Sequence, residues 1–279
     1  MYAATKISDE SLLKAAAKLP ASPAILAEFN ELTLDPHMVL DEVTALLRRD
    51  STLAAGVVRV SNSPVYGGDR ISAVEDAVAR VGLKEIYRLV SLATTARLSE
   101  MALPVYGVFV GKLARGTLYH GLAAEKLAMA CGFDRRVAYT ASLVRTLGMR
   151  VVDWILRDAD WVAPASSSDM LSWERDTFGR TSPEVAHLIL RDWRFGEDVL
   201  DAVIGQYAVG DLDEVSPMAV LVNLAGHFTA QAECSIAGEQ HYWEPTPEKL
   251  AVVGLQADAM GDLAQDIERE FERTMDILN

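Results

Sequence analysis

Apolar residues recur at three- and four-residue spacing along almost the whole chain, and that periodicity restricts the fold to packed helices. The C-terminal stretch is the plainest case. Met260, Leu263, Ala264, Ile267, Phe271, Met275 and Leu278 fall on one face, with Asp262, Asp266, Glu270 and Arg273 on the other. Helix starts are signposted too. Ser72-Ala-Val-Glu75 and Thr181-Ser-Pro-Glu184 carry the pattern in which a hydroxyl and a carboxylate satisfy free backbone donors reciprocally. Ser216-Pro217 and Thr246-Pro247 put proline at the first helical position, where its missing N–H costs nothing. Alternation of period two is scarce. Val57, Val58 and Val60 have the composition of a short strand, but no partner segment lies nearby. The expected fold class is all-α.

Composition narrows the function classes. With 279 residues and 50% hydrophobic side chains, the chain can bury a core without disulfide or metal staples. Its net charge of −14 argues against a nucleic-acid partner, because phosphate contacts need clustered cations. One window runs against this balance. Between Val105 and Arg157 eight cations face three anions, so a solvated basic face is one expectation for that segment and a nucleic-acid contact another. Cys131 and Cys234 lie far apart without a CxxC pattern and read as buried reduced thiols. The N-terminus lacks the apolar run of a signal peptide. The longest charge-free stretch, Val215–Ala232, contains polar residues and reads as a buried helix, not a bilayer span. A cytoplasmic protein without membrane contact is expected.

Pro104 and Gly107 interrupt two long helical patterns, so Glu100–Gly107 is the expected boundary between domains at 1–103 and 104–279. Further loops are expected at Trp161–Ser168 and Ala237–Pro247. The chemistry is sparse. None of the five histidines forms HxxxH or HExxH, and none is followed by Asp. Glu184 and His187 have the spacing of a carboxylate-bundle ligand pair, but that motif needs a second copy, which is missing. No GxSxG, Walker A or GxGxxG occurs.

An ordered series of short elements goes further. Leu19-Pro20 is followed by Asp50-Ser-Thr-Leu53, Asn62-Ser63, Tyr66-Gly67-Gly68, Ile71-Ser72 and Val81-Gly82-Leu83. The series resembles the opening of the HDOD family, output domains of bacterial signalling proteins related to HD-type metal phosphohydrolases. Ser51 and Val81 depart mildly from the pattern. The resemblance implies an N-terminal helical domain packed on an HD-like helical bundle, ending here in an amphipathic helix.

HD hydrolases hold metal through several histidines and a His-Asp pair. His120 matches the first of these positions. Arg145-Thr146 stand where the His-Asp pair is expected, Ser182 where a histidine is usual, and Gln206-Tyr207 where tandem histidines are usual. The late Asp is replaced near Gly226. One ligand of about six survives, and one imidazole cannot hold a catalytic divalent ion against water. The resemblance therefore implies no metal, no cofactor, no catalytic residue and no enzyme activity. It points instead to a signalling module that contacts other signalling proteins.

The alternative is a vestigial pocket of His120, Arg145, Thr146, Ser182, Gln206 and Tyr207 that binds a nucleotide or other small anion. Arg145 either substitutes for the lost cation or points to solvent. In the first case Arg145, His120 and Gln206 converge in a cleft, with Arg150 or Arg115 near. The loop residues Pro64, Val65 and Tyr66 are the expected protein-contact patch. The two domains are expected to share an apolar interface, because no Gly/Ser-rich linker separates them.

Overall fold

The computed structural model describes residues 7–19, 25, 28–29, 32, 40–49, 51–83, 85–90, 102–109, 111–157 and 169–278. Among them there is no β-strand, and extended pairing is limited to one antiparallel bridge between Leu103 and Val108. The N-terminal half contains α1 (Asp9–Ala16), α2 (Leu40–Arg48), α3 (Ser51–Ser61) and α4 (Val74–Val81), with residues 85–90 also helical. The valines at 57–60 therefore lie in a helix. Thr246 and Ser216 cap their helices as expected, each with Pro at the start. Thr181 and Glu184 form the reciprocal cap. Ser72 does not: α4 starts one residue later, with Ala73 at the cap and no side-chain bond to it.

The link between α3 and α4 is held by Asn62. Its amide donates to the carbonyls of Val58 and Ile71, and its carbonyl accepts from the Ile71 amide at 2.7 Å. One side chain thus replaces the backbone bonds that the loop lacks.

The C-terminal half is built around α5 (Lys112–Cys131), which packs against α6 (Arg135–Val144), α11 (Pro217–Gln231) and α13 (Ala259–Leu278). The helices α7 (Leu147–Leu156), α8 (Met170–Phe178), α9 (Ser182–Asp192), α10 (Glu197–Ile204) and α12 (Pro247–Val253) complete it. The charge-free stretch forms α11, which is buried along most of its length, as its lack of charge requires. On α13 the residues Leu263, Ile267 and Phe271 are buried, Asp262 and Arg273 are exposed, and Glu270 is mostly covered by its pairs with Arg88 and Lys126. Cys234 is buried, whereas Cys131 is only partly so. No helix among the described residues is long and apolar enough to cross a membrane.

A single apolar cluster runs from Ile7 and Leu12 through Tyr87 and Val105 to Phe271. The helix α1 packs directly on α7 and α9. The segment joining the halves is itself buried at Leu103, Val105, Tyr106 and Val108. Two buried carboxylates hold it. Asp153 on α7 accepts the Val105 amide at 2.8 Å, and Glu174 on α8 accepts the Tyr106 hydroxyl at 2.9 Å. The loop expected at Trp161–Ser168 lies outside the described residues.

Candidate functional site

The break between α6 and α7 decides where Arg145 goes. Residues 145 and 146 terminate one helix and begin the next, and both point into the bundle. Gln206, just past the end of α10, secures that break: its amide donates to the Arg145 carbonyl at 3.2 Å and to the Val203 carbonyl at 3.0 Å. Asn223 on α11 in turn donates to the Gln206 carbonyl at 2.9 Å. Three helices are thus tied to the backbone at residue 145.

The Arg145 side chain is 3% exposed, and a buried guanidinium needs a counter-charge. Glu239 supplies it. The two groups meet in a two-pronged contact, with Nη1 to Oε1 at 2.8 Å and Nη2 to Oε2 at 3.4 Å. Glu239 also accepts the Ile236 amide at 3.1 Å and the Tyr207 hydroxyl. Arg145 lies 3.4 Å from the Tyr207 oxygen and 3.5 Å from that of Gln206. Burial works against its charge, but Glu239 and then Tyr207 more than offset this, so the guanidinium stays protonated. Burial, reinforced by Glu239, pushes the Tyr207 phenol far up and keeps it a donor.

Trp243 closes the site. Its ring lies 5.5 Å from the Arg145 guanidinium carbon, 5.0 Å from the Tyr207 ring and 6.1 Å from the His120 imidazole. A Cβ on Gly226 would come within 2.3 Å of the Trp243 ring, so only glycine lets the indole sit there. The position where a late carboxylate was expected is instead the floor under a tryptophan.

His120 is fully buried on α5, and neither ring nitrogen finds a hydrogen-bond partner among the described residues. Burial, and then the Arg145 charge, hold its pKa well below the ordinary range, so the ring is neutral.

The expected convergence of Arg145, His120 and Gln206 is present, with Tyr207. It is not a cleft. Each of these side chains is buried, and Arg145 is already paired. Thr146, next to Arg145 in sequence, and Ser182 are both buried but take no part in the Arg145 network, and their hydroxyls have no partner among the described residues. Ser182 instead gives its backbone amide to Glu174 at 2.6 Å. That carboxylate is raised by burial to about 7, against the lowering effect of the Ser182 and Tyr106 bonds. Arg150 is buried as well, and burial followed by the Arg145 charge lowers it to about 9. Arg115 lies elsewhere, over the Phe271 ring at 4.6 Å.

Only part of the basic window is at the surface, where Lys112 and Arg115 are exposed. Arg145 and Arg150 are inside, while Lys126, Arg136 and Arg157 pair with Glu270, Asp134 and Asp153. Among the described residues no group of three or more His, Cys, Asp or Glu could hold a metal ion. The positions expected to hold metal carry a cation, a neutral buried imidazole and uncharged donors, so they do not fit one. Glu184 bonds the Thr181 amide and Arg175, which leaves its spacing to His187 without a role. Pro64 and Val65 are exposed. Tyr66 is half-buried against the core, and burial, then Glu85, raise its phenol to about 12. Phe109, beside the connecting segment, is 79% exposed and was not anticipated from the sequence.

A family model of the HDOD domain matches residues 19–209. Three solved structures share the fold. A Marinobacter aquaeolei protein provisionally assigned to signal transduction has a TM-score of 0.68 at 19% identity, over 96% of this chain and 64% of its own. A Shewanella amazonensis protein provisionally assigned as a phosphohydrolase has a TM-score of 0.66 at 19% identity, over 96% of both chains. An HDOD domain protein of unknown function from Geobacter sulfurreducens has a TM-score of 0.65 at 20% identity, over 97% of both chains. No curated protein matches the chain.

Proposed function

The chain belongs to the HDOD family, and from that premise we propose that it is a non-catalytic signal-transduction module acting through contacts with other signalling proteins in the cytoplasm. The Arg145–Glu239 pair carries this reading. A hydrolase of this class needs a cation at that place to polarise phosphate and activate water. Here a guanidinium and a carboxylate neutralise each other, with Tyr207 and Trp243 packed around them. An anion entering the same place would have to displace Glu239 from Arg145, which also weighs against a vestigial nucleotide pocket there.

In this reading residues 1–103 and 104–279 are two units that act as one surface. The buried connecting segment, fixed by Asp153 and Glu174, supports rigid coupling of the two. Exposed apolar groups at Pro64, Val65 and Phe109 are the preferred partner contacts.

Phosphohydrolase assays test the reading. With p-nitrophenyl phosphate and bis(p-nitrophenyl) phosphate, and Mg²⁺, Mn²⁺ or Fe²⁺ added, turnover should not rise above that of buffer. Turnover that disappears in His120→Ala would overturn it.

A further inference from the structure

A cavity of about 500 Å³ opens where Leu83, Tyr87 and Arg88 of the N-terminal half meet the end of α5 and the start of α6. Its volume falls within the range of small-molecule sites. Three aromatic rings line it: Tyr87 and Tyr139, both buried, and Phe133, partly exposed. Its polar groups are unevenly committed. Arg136 is bound to Asp134, which also accepts the Arg136 amide at 2.8 Å, so neither is free. Glu125 already interacts within the protein. Arg88 gives its terminal nitrogens to Glu270 and Thr274, yet its buried Nε has no partner among the described residues.

Two further groups are left over. Tyr139 is 3% exposed, and its hydroxyl has no hydrogen-bond partner among the described residues. Burial keeps that phenol protonated. The Arg135 side chain, partly exposed at the start of α6, has no ion pair or hydrogen bond among the described residues. The unmet demand is for acceptors. Leaving a buried donor unsatisfied is costly, and a charged donor against aromatic walls favours an anion attached to a flat ring.

We propose that this cavity binds a small aromatic anion of mononucleotide size, with its ring among Tyr87, Phe133 and Tyr139 and its anionic group on Arg135. The site shares no residue with the Arg145 centre and does not rest on the reading of that centre. It lies on the seam between the halves. A bound ligand would add contacts across that seam, giving a non-catalytic module a chemical input.

Calorimetric titration of the full chain with AMP and GMP, alongside adenosine, guanosine and inorganic phosphate, tests this. One nucleotide should bind per chain, with the nucleosides and phosphate each weaker by about tenfold or more. Arg135→Ala should weaken nucleotide binding about tenfold or more, and Tyr139→Phe several-fold. Arg70→Ala removes the same charge from a separate exposed groove on the N-terminal half and should change nothing. Should Tyr139→Phe fail to fold, Arg135→Ala decides alone, since its side chain is partly exposed and unpaired. Two outcomes overturn the proposal: no binding of either nucleotide up to about 1 mM, or binding that Arg135→Ala and Arg70→Ala leave equally intact.

Discussion

The centre of the helical bundle buries an arginine against aromatic rings, the seam between the halves sets a partly exposed one beside them, and the two end in opposite states. At the centre, Arg145 is matched by Glu239, Tyr207 and Trp243, and the carboxylate's remaining capacity is taken by the Ile236 amide. At the seam, Arg135 and the Tyr139 hydroxyl are unmatched and line open volume. Resemblance to a hydrolase directs attention to the first place. The unpartnered Tyr139 hydroxyl and Arg135 side chain mark the second. A buried charge that the chain itself neutralises is structure, whereas donors left unmatched around a cavity are an opportunity for a ligand.

The contrast breaks most easily at the centre. Glu239→Ala leaves the Arg145 guanidinium buried without its counter-charge, and a loss of about 3–5 kcal/mol is expected in urea unfolding. The double variant Arg145→Met/Glu239→Leu removes both charges and should recover most of that loss. A double variant as unstable as Glu239→Ala would mean that the pair is not what holds the centre.

The connecting segment gives a pH test. The native state raises the Glu174 carboxyl from about 4.5 to about 7, so folding favours its protonated form. That contribution is complete below pH 4.5 and is lost as pH rises through 7. The stability of the wild type relative to Glu174→Gln should therefore fall across this window, by on the order of 2–3 kcal/mol. A difference independent of pH would show that the carboxyl titrates normally.

Two matched tyrosine variants sharpen the comparison directly. Tyr207→Phe removes a donor from a buried carboxylate and should cost about 2 kcal/mol. Tyr139→Phe removes a hydroxyl that bonds nothing among the described residues, so its unfolding free energy should stay within about 1 kcal/mol of wild type. Equal losses would erase the distinction between the two regions.

Much of the helical scaffold was legible in the sequence because its signals are local. Proline after Ser216 and Thr246, the Thr181–Glu184 cap and the charge-free α11 each depend on neighbours within a few residues. The Ser72 pattern failed: the helix starts one residue later, with Ala73 at the cap and no side-chain bond, so a local cap signal did not set that boundary. Sequence and resemblance together put Arg145, His120, Gln206 and Tyr207 in one place. They did not find Glu239, which lies 94 residues from Arg145 in a loop marked only by Gly and Pro. An arginine at a position expected to be buried does imply a distant carboxylate, yet nothing local says which of 40 acidic residues it is. The seam cavity was not legible, because it exists only once Leu83, Tyr87 and Arg88 are laid against α5 and α6.

The central claim is that side chains of this protein occupy the place where a hydrolase would hold its metal. Elemental analysis by plasma mass spectrometry, on protein purified without chelator and without added metal, addresses it most directly. The account predicts Fe, Mn and Zn far below one equivalent per chain, in the wild type and in His120→Ala alike. One equivalent of any of these metals, present in the wild type and lost in His120→Ala, would contradict it.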